Sequence, residues 1–301
     1  MRLIITGGTG LIGKHFAKLM KDQEHEVIIL SRNPQKYDIW AGIKLHKWDA
    51  KTGDGWSNLI HHNTAIINLA GENPASGRWT NEHKELVLQS RLDAINAIQD
   101  AIEQAREKPA TLLQASAVGY YGDMGDTVLT EDSPAGDNWR AQVVVDWEQA
   151  AQPIANMGIR TCWLRIGIVL DTASGALPAF VQAAKLMGKQ IGDGQQYIPW
   201  AHNDEIAYQM RYLLLKESEA GIYNLCAPKP ATNEQLMQAT AEALNRPSIV
   251  RVPAFALKLV LGEMATTVLD SQRVIPQRLM DAGYEFKHPD LQATLNNLLQ
   301  K

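Results

Sequence analysis

Cysteine is scarce, with two residues, Cys162 and Cys226, in a chain of 301. That excludes a disulfide framework and a cysteine-rich metal site, and it reads as two reduced core thiols in a cytoplasmic protein. No long hydrophobic run is present. The nearest, from Val252 to Leu269, is broken by Pro253, Lys258, Gly262 and Glu263, so no membrane partner is expected. The first glycines fall at residue 7, which leaves no room for a signal-peptide core. Neither sign of charge dominates: the net charge is −4, and no basic stripe points to nucleic acid. Repeats and low-complexity linkers are absent. His61 and His62 are adjacent in a polar loop without a second ligand cluster, so no metal is expected. No Gly-x-Ser-x-Gly or Cys/His nucleophile pattern occurs.

What the chain does have stands at its start. Arg2-Leu3-Ile4-Ile5-Thr6 is a short apolar run, read as a buried strand of a parallel sheet. Gly7-Gly8-Thr9-Gly10-Leu11-Ile12-Gly13 follows, and Leu11 to Lys21 has helical spacing. Glycines between a strand and a helix allow a tight turn and close approach of a pyrophosphate to the helix N-terminus. Both Gly8-x-Gly10-x-x-Gly13 and Gly7-x-x-Gly10-x-x-Gly13 fit. The stretch therefore predicts dinucleotide binding, against the plainer alternative of a turn that binds nothing.

The second strand, Glu26 to Leu30, ends in Ser31-Arg32. An NAD site places Asp or Glu here for the ribose 2′-hydroxyl. A hydroxyl and a guanidinium instead suit a 2′-phosphate, so the expected cofactor is NADP (NADPH).

Strand-like runs at 2–6, 26–31, 43–47, 64–69, 111–116 and 160–166 alternate with helical stretches, including 80–106 and 139–157. This predicts an α/β fold, a Rossmann-type doubly wound parallel sheet. The run 221–225 reads as a late strand rejoining it. Helices at 232–245, 253–269 and 289–300 suggest a smaller second unit. The expected division is a cofactor domain over 1–166, its sheet completed by about 205–226, and a substrate or lid domain over 167–301 with a distinct part from 231.

The residues now carry a family resemblance. Thr6 to Gly13, Asn68-Leu69-Ala70-Gly71 and Ser116-x-x-x-Tyr120-Tyr121-Gly122 resemble the extended short-chain dehydrogenase/reductase superfamily. Arg78-Trp79, Ser90-Arg91, Trp147-Glu148, Leu164-Arg165-x-Gly167-x-Val169-Leu170, Trp200-x-His202 and the segments around 231–234, 246–254, 262–264 and 276–279 are similar to the subfamily called "epimerase family protein". The resemblance runs over essentially the whole chain. It implies Gly7, Thr9, Gly10, Leu11, Ile12, Gly13, Ser31, Arg32, Leu69, Ala70, Arg91 and Val169 beside the cofactor. It also implies a small-molecule substrate, such as a nucleotide-linked one. Helices 80–106 and 139–157 resemble the superfamily's dimer-forming pair, which allows a homodimer.

The superfamily's Tyr-x-x-x-Lys pair is missing. The helix that should carry it, beginning at Trp139, has neither residue type, and Arg140 and Val144 take the two positions. Tyr212-x-x-x-Lys216 falls after the sixth strand and reads as a chance match. The catalytic candidates that remain are Ser116, Tyr120 and Tyr121, with Glu72 as another base. His202 and Asp204 read as holding the junction between the two units. Two readings stay open: an atypical NADP-dependent epimerase or reductase, and a cofactor-sensing protein that has lost its catalytic pair.

Overall fold

The computed structural model describes residues 1–37, 42–186, 188–255, 259 and 262–300. Its first half runs β1 (Arg2–Thr6), α1 (Leu11–Lys21), β2 (Glu26–Ser31), β3 (Ile43–Lys47), β4 (Thr64–Asn68) and α2 (Asn81–Gln104). β5 (Thr111–Ala117), β6 (Val128–Leu129), α3 (Trp139–Ala150), α4 (Gln152–Asn156) and β7 (Arg160–Ile166) follow. Then come β8 (Ile168–Leu170), α5 (Leu177–Lys185), β9 (Gly188–Ile191), β10 (Tyr197–Ile198), β11 (Trp200–His202), α6 (Asn203–Leu215) and β12 (Gly221–Leu225). Last are β13 (Ala231–Thr232), α7 (Asn233–Ala243), β14 (Val250–Val252), β15 (Arg273–Val274) and a closing helix, Leu291–Leu299.

Seven strands pair in parallel in the order β12-β7-β5-β4-β1-β2-β3. Alternation along the strands feeds two separate cores. In β1, Leu3 and Ile5 pack towards α1 and α6, while Ile4 packs towards α2. The α2 face that meets the sheet carries Ala94, Ile95, Ile98, Ala101 and Ile102, spaced three and four apart. Helices on both faces of a parallel sheet make the doubly wound arrangement expected from the sequence. A third apolar cluster joins α5, α7 and the closing helix through Phe180, Leu236, Met237 and Leu295.

Caps set the helix limits. Thr80 and Asn138 accept backbone N–H bonds at the starts of α2 and α3, and Thr232 forms a capping box with Gln235 on α7. The helix expected over 139–157 is two helices, because Pro153 supplies no N–H and favours a helix start. Of the helix expected over 253–269, residues 256–258, 260 and 261 lie outside the described residues. A 3₁₀ turn at Gly262–Ala265 and a short helix at Thr266–Leu269 form its end. Cys162 and Cys226 are free and buried, and burial pushes the Cys162 thiol up to about 11. No helix among the described residues is long and apolar enough to cross a membrane.

Candidate functional site

The strand order reverses between β1 and β4, and ligands of open α/β sheets bind beyond the carboxyl ends at such a point. A buried polar ladder holds these ends. Thr6 Oγ1 donates to Asn68 Oδ1 (2.6 Å), and Asn68 Nδ2 donates to Gln114 Oε1 (2.9 Å). The glycine turn leaves β1 there. Gly7 has φ +64°, and a Cβ on it would lie 2.4 Å from the Leu69 carbonyl oxygen. A Cβ on Gly13 would lie 2.5 Å from the Gly7 oxygen. These two glycines pack the turn against the next loop and against itself. Gly10 differs, since its Cβ would meet nothing closer than 3.2 Å. It is the N-cap of α1 without a side-chain cap, so the first-turn N–H groups have no side-chain acceptor there. This cradle fits a pyrophosphate.

The cleft beside this turn has a volume of about 520 Å³. Gly7, Gly10, Leu11, Ile12, Gly13, Leu69, Arg91, Ser116 and Val169 line it. Thr9, Ser31, Arg32 and Ala70 do not. Ser31 and Arg32 end β2, beside β1, where Ser31 is buried and accepts the Asn33 N–H (3.2 Å) while Arg32 is exposed.

Ser116 lies at the end of β5, level with Arg165 on β7, which is level with Asn224 on β12. Ser116 Oγ donates a 2.5 Å bond to Glu148 Oε1. Arg165 grips the same carboxylate with a fork, Nε to Oε1 and Nη2 to Oε2, both 2.9 Å. The Arg165 guanidinium lies 3.4 Å from the ring centre of Tyr120 and 5.1 Å from that of Tyr121. The Tyr121 hydroxyl accepts from Arg165 (3.1 Å) and donates to Asn224 (2.7 Å).

This arrangement places three of the expected acid–base candidates off the cleft wall. Tyr121 is fully buried, and burial pushes its hydroxyl up to about 12. Its work is to clamp Arg165. Tyr120 stacks on the same guanidinium, and neither tyrosine lines the cleft. Glu72 does not line it either: its carboxylate accepts from Ser76 Oγ (2.7 Å) in its own loop. Tyr212 and Lys216 are equally remote, the tyrosine hydroxyl donating to the Ala282 carbonyl (2.7 Å).

Arg140 and Val144 face the cleft, as the helix register demands. Arg140 Nη2 pairs with Asp270, and its Nε is buried with no protein acceptor. Arg91 is half-buried on α2. Its Nη1 donates to the carbonyls of Glu72 (3.0 Å) and Val87 (2.7 Å), and its guanidinium lies 4.8 Å from the Trp147 ring centre. Burial lowers it to about 10. The sequence reading gave no role to the aromatic wall of Trp79, Trp139 and Trp147, nor to Asp270.

His202, Asp204 and His288 form a cluster whose ligand-type atoms lie within 4.8 Å. The two imidazoles stack in parallel (4.0 Å, 10°), so their in-plane lone pairs run side by side and do not converge on one ion. His202 Nδ1 accepts the Asp204 N–H (3.0 Å) as the cap of α6, and Asp204 bonds His15 of α1 (2.7 Å). Asp204 thus ties α6 to α1, while His202 caps α6 and stacks on His288.

With this geometry in view, comparison with known proteins is direct. The model of the NAD dependent epimerase/dehydratase family matches residues 3–226. The chain belongs to that family. A second model, "Domain of unknown function (DUF1731)", matches residues 252–298. The epimerase family protein YfhF of Bacillus subtilis (strain 168) is 36% identical over 301 residues, covering 99% of this chain and 98% of the relative. The chloroplastic epimerase family protein SDR39U1 homolog of Arabidopsis thaliana is 34% identical, covering 100% of this chain and 87% of the relative. The crystal structure of human epimerase family protein SDR39U1 (isoform 2) with NADPH superposes with a TM-score of 0.88 at 30% identity, covering all of both chains. The UDP-glucose 4-epimerase of Thermus thermophilus, in complex with NAD, shares the fold alone (TM-score 0.79, 19% identity, 100% and 98% coverage).

Proposed function

We propose that this epimerase-family protein is an NADPH-dependent oxidoreductase, an atypical reductase or epimerase, in which Ser116 and Glu148 take over the proton work of the missing tyrosine and lysine. The observation that carries it is the 2.5 Å bond from Ser116, on the cleft wall, to a carboxylate fixed by Arg165. The fit of the glycine cradle and the NADPH in the human relative support the cofactor.

Bound NADPH supplies a hydride donor. The first-turn N–H groups after Gly10 hold the pyrophosphate, and Ser31 with Arg32 receives the 2′-phosphate. Leu11, Ile12 and Val169 close apolar surface over the cofactor. Ser116 spends its proton on Glu148, which leaves its lone pairs for a substrate hydroxyl. In the oxidative direction the hydroxyl proton passes to Ser116 Oγ as the serine proton passes to Glu148. The reductive direction reverses both transfers. Arg165 and the tyrosines beneath it keep the carboxylate in line.

A second reading, a cofactor-binding sensor, has support from Val144, which cannot do a lysine's work. Turnover separates the two. With NADPH and a panel of aldehydes, ketones and nucleotide sugars, Ser116→Ala and Glu148→Gln should each lower the rate about 10²–10⁴-fold while NADPH affinity stays within about threefold. Unchanged rates remove the relay. Tight NADPH binding with no turnover on any member of the panel puts the sensor ahead. For the cofactor, NADPH should bind about tenfold to over a hundredfold tighter than NADH, the scale of a charge-assisted bond, and Arg32→Ala should erase most of that preference. Nucleotide fluorescence titration measures both.

A further inference from the structure

The cleft carries few charges. Arg91, Arg140 and Asp270 are the charged residues lining it among the described residues. Arg91 is committed to two carbonyls and to the face of Trp147. Arg140 is paired through Nη2 with Asp270 across two distant parts of the chain, and its buried Nε, without a protein acceptor, is a single donor too few for two phosphates. No lysine among the described residues lines the wall; Lys84, 5.2 Å from the Trp139 ring centre, is paired with Glu263, and the hydroxyl of Ser116 is already given to Glu148.

Apolar and aromatic surface makes up most of the rest, with Asn73, Tyr197, Thr267 and Gln272 as its other uncharged polar residues. Trp79 and Trp139 meet edge to face, with ring centres 4.9 Å apart and planes at 62°. Trp79 Nε1 donates to the Pro74 carbonyl (2.9 Å), so this indole offers a ligand its rings. Val143 and Val144 continue the same surface along α3.

A nucleoside diphosphate sugar brings two phosphate charges in addition to those of the cofactor. Seating them needs charge-assisted donors, and burying them unpaired is strongly unfavourable. An aromatic ring or compact apolar body instead gains area and ring contacts against indoles. We infer that the substrate is a compact, uncharged carbonyl compound, or the matching alcohol, whose flat apolar body lies on the Trp79–Trp139 wall and whose oxygen meets Ser116. Nucleotide sugars are then excluded by the Arg140–Asp270 pair. This inference rests on the oxidoreductase reading and narrows it to one class.

The test is a binding measurement. NADPH is first titrated by its own fluorescence. The NADPH-loaded protein is then titrated calorimetrically with 2-naphthaldehyde and, separately, with UDP-glucose and UDP. 2-Naphthaldehyde should bind at least about tenfold tighter than UDP-glucose. Trp139→Ala should weaken it about tenfold, Trp139→Phe should restore most of the loss, and NADPH affinity should stay within about threefold throughout. Asp270→Asn, which removes the charge that balances Arg140 without removing volume, should raise UDP affinity by about tenfold or more. UDP-glucose binding to the wild-type protein as tightly as the aldehyde overturns the inference, as does failure of the aldehyde to bind at millimolar concentration. Failure of Asp270→Asn to gain UDP removes the charge argument and overturns it too. Absence of NADPH binding in the first titration sinks the reading beneath it, a result visible before either substrate is added.

Discussion

Gly10 and Gly13 lie three residues apart and should fail in different ways. A Cβ on Gly13 would sit 2.5 Å from a backbone oxygen that cannot move without opening the turn, so Gly13→Ala should cost about 1–3 kcal/mol of stability. Gly10 has φ −79° and no neighbour closer than 3.2 Å, so Gly10→Ala should melt close to the wild-type temperature while losing NADPH affinity. Thermal melts and nucleotide titration, run on both variants, check the pair of outcomes; equal affinity in Gly10→Ala would mean that no phosphate approaches there. His202 gives a second residue-scale expectation. Burial and the stacked His288, with a smaller contribution from His15, hold it down to about 4, opposed by Asp204. The unfolded chain then takes up this proton near pH 6.5, before the folded one does. The contribution of His202 is intact above pH 6.5 and is lost as pH falls towards 4, by at most about 3 kcal/mol. His202→Asn keeps a helix cap and removes the titration, so its melting temperature should fall less steeply over that window than the wild type's.

At the scale of elements, two of the ion pairs that hold the C-terminal segment to α2 and α3 are of unequal worth. Glu263 pairs with Lys84 of α2 at an exposed carboxylate, and Asp270 pairs with Arg140 of α3 where both side chains are largely buried. Glu263→Gln should therefore change stability by less than about 1 kcal/mol, while Asp270→Ala, which strands a buried guanidinium, should cost about 2–5 kcal/mol. Denaturant midpoints order the two; an equal effect would mean that solvent reaches Arg140. The same contrast explains what the sequence disclosed. β1, β2, β3 and β7 are legible to the residue because a strand is a local run, and the glycine turn because its spacing is local. The break between α3 and α4 was written in Pro153 and still passed over, because the apolar pattern continues through it. Ser116 was legible as the end of a strand, but its partner lies 32 residues on, and no spacing rule joins a β5 serine to an α3 glutamate. Tyr120 and Tyr121 were misplaced for the same reason. They look available in their loop until Arg165, which arrives 44 residues past Tyr121, fills the space between them and the sheet. The Arg140–Asp270 pair, 130 residues apart, is a product of tertiary packing alone.

Across the whole molecule, the cleft is a seam. Its wall draws on the first turn of the chain, on α2 and α3, on β8, on Tyr197 of β10 and on Thr267 and Gln272 from the last third. A ligand that fills it touches every one of these segments, and binds only when all are in place. Cofactor binding should therefore stabilise the chain as a unit, not its glycine turn alone. At a hundred times its dissociation constant NADPH should add about 2.7 kcal/mol, which moves the melting temperature by several degrees. NADH at the same concentration L should move it less, as its larger dissociation constant lowers RT ln(1 + L/Kd), and Arg32→Ala should bring the two shifts together. Calorimetry on the full chain should show one transition that moves intact. Two transitions, of which NADPH moves only one, would mean that the last third melts independently of the cofactor cleft. Its contributions to the wall, Asp270 included, would then be dispensable for holding the cofactor and would matter only to what lies beside it.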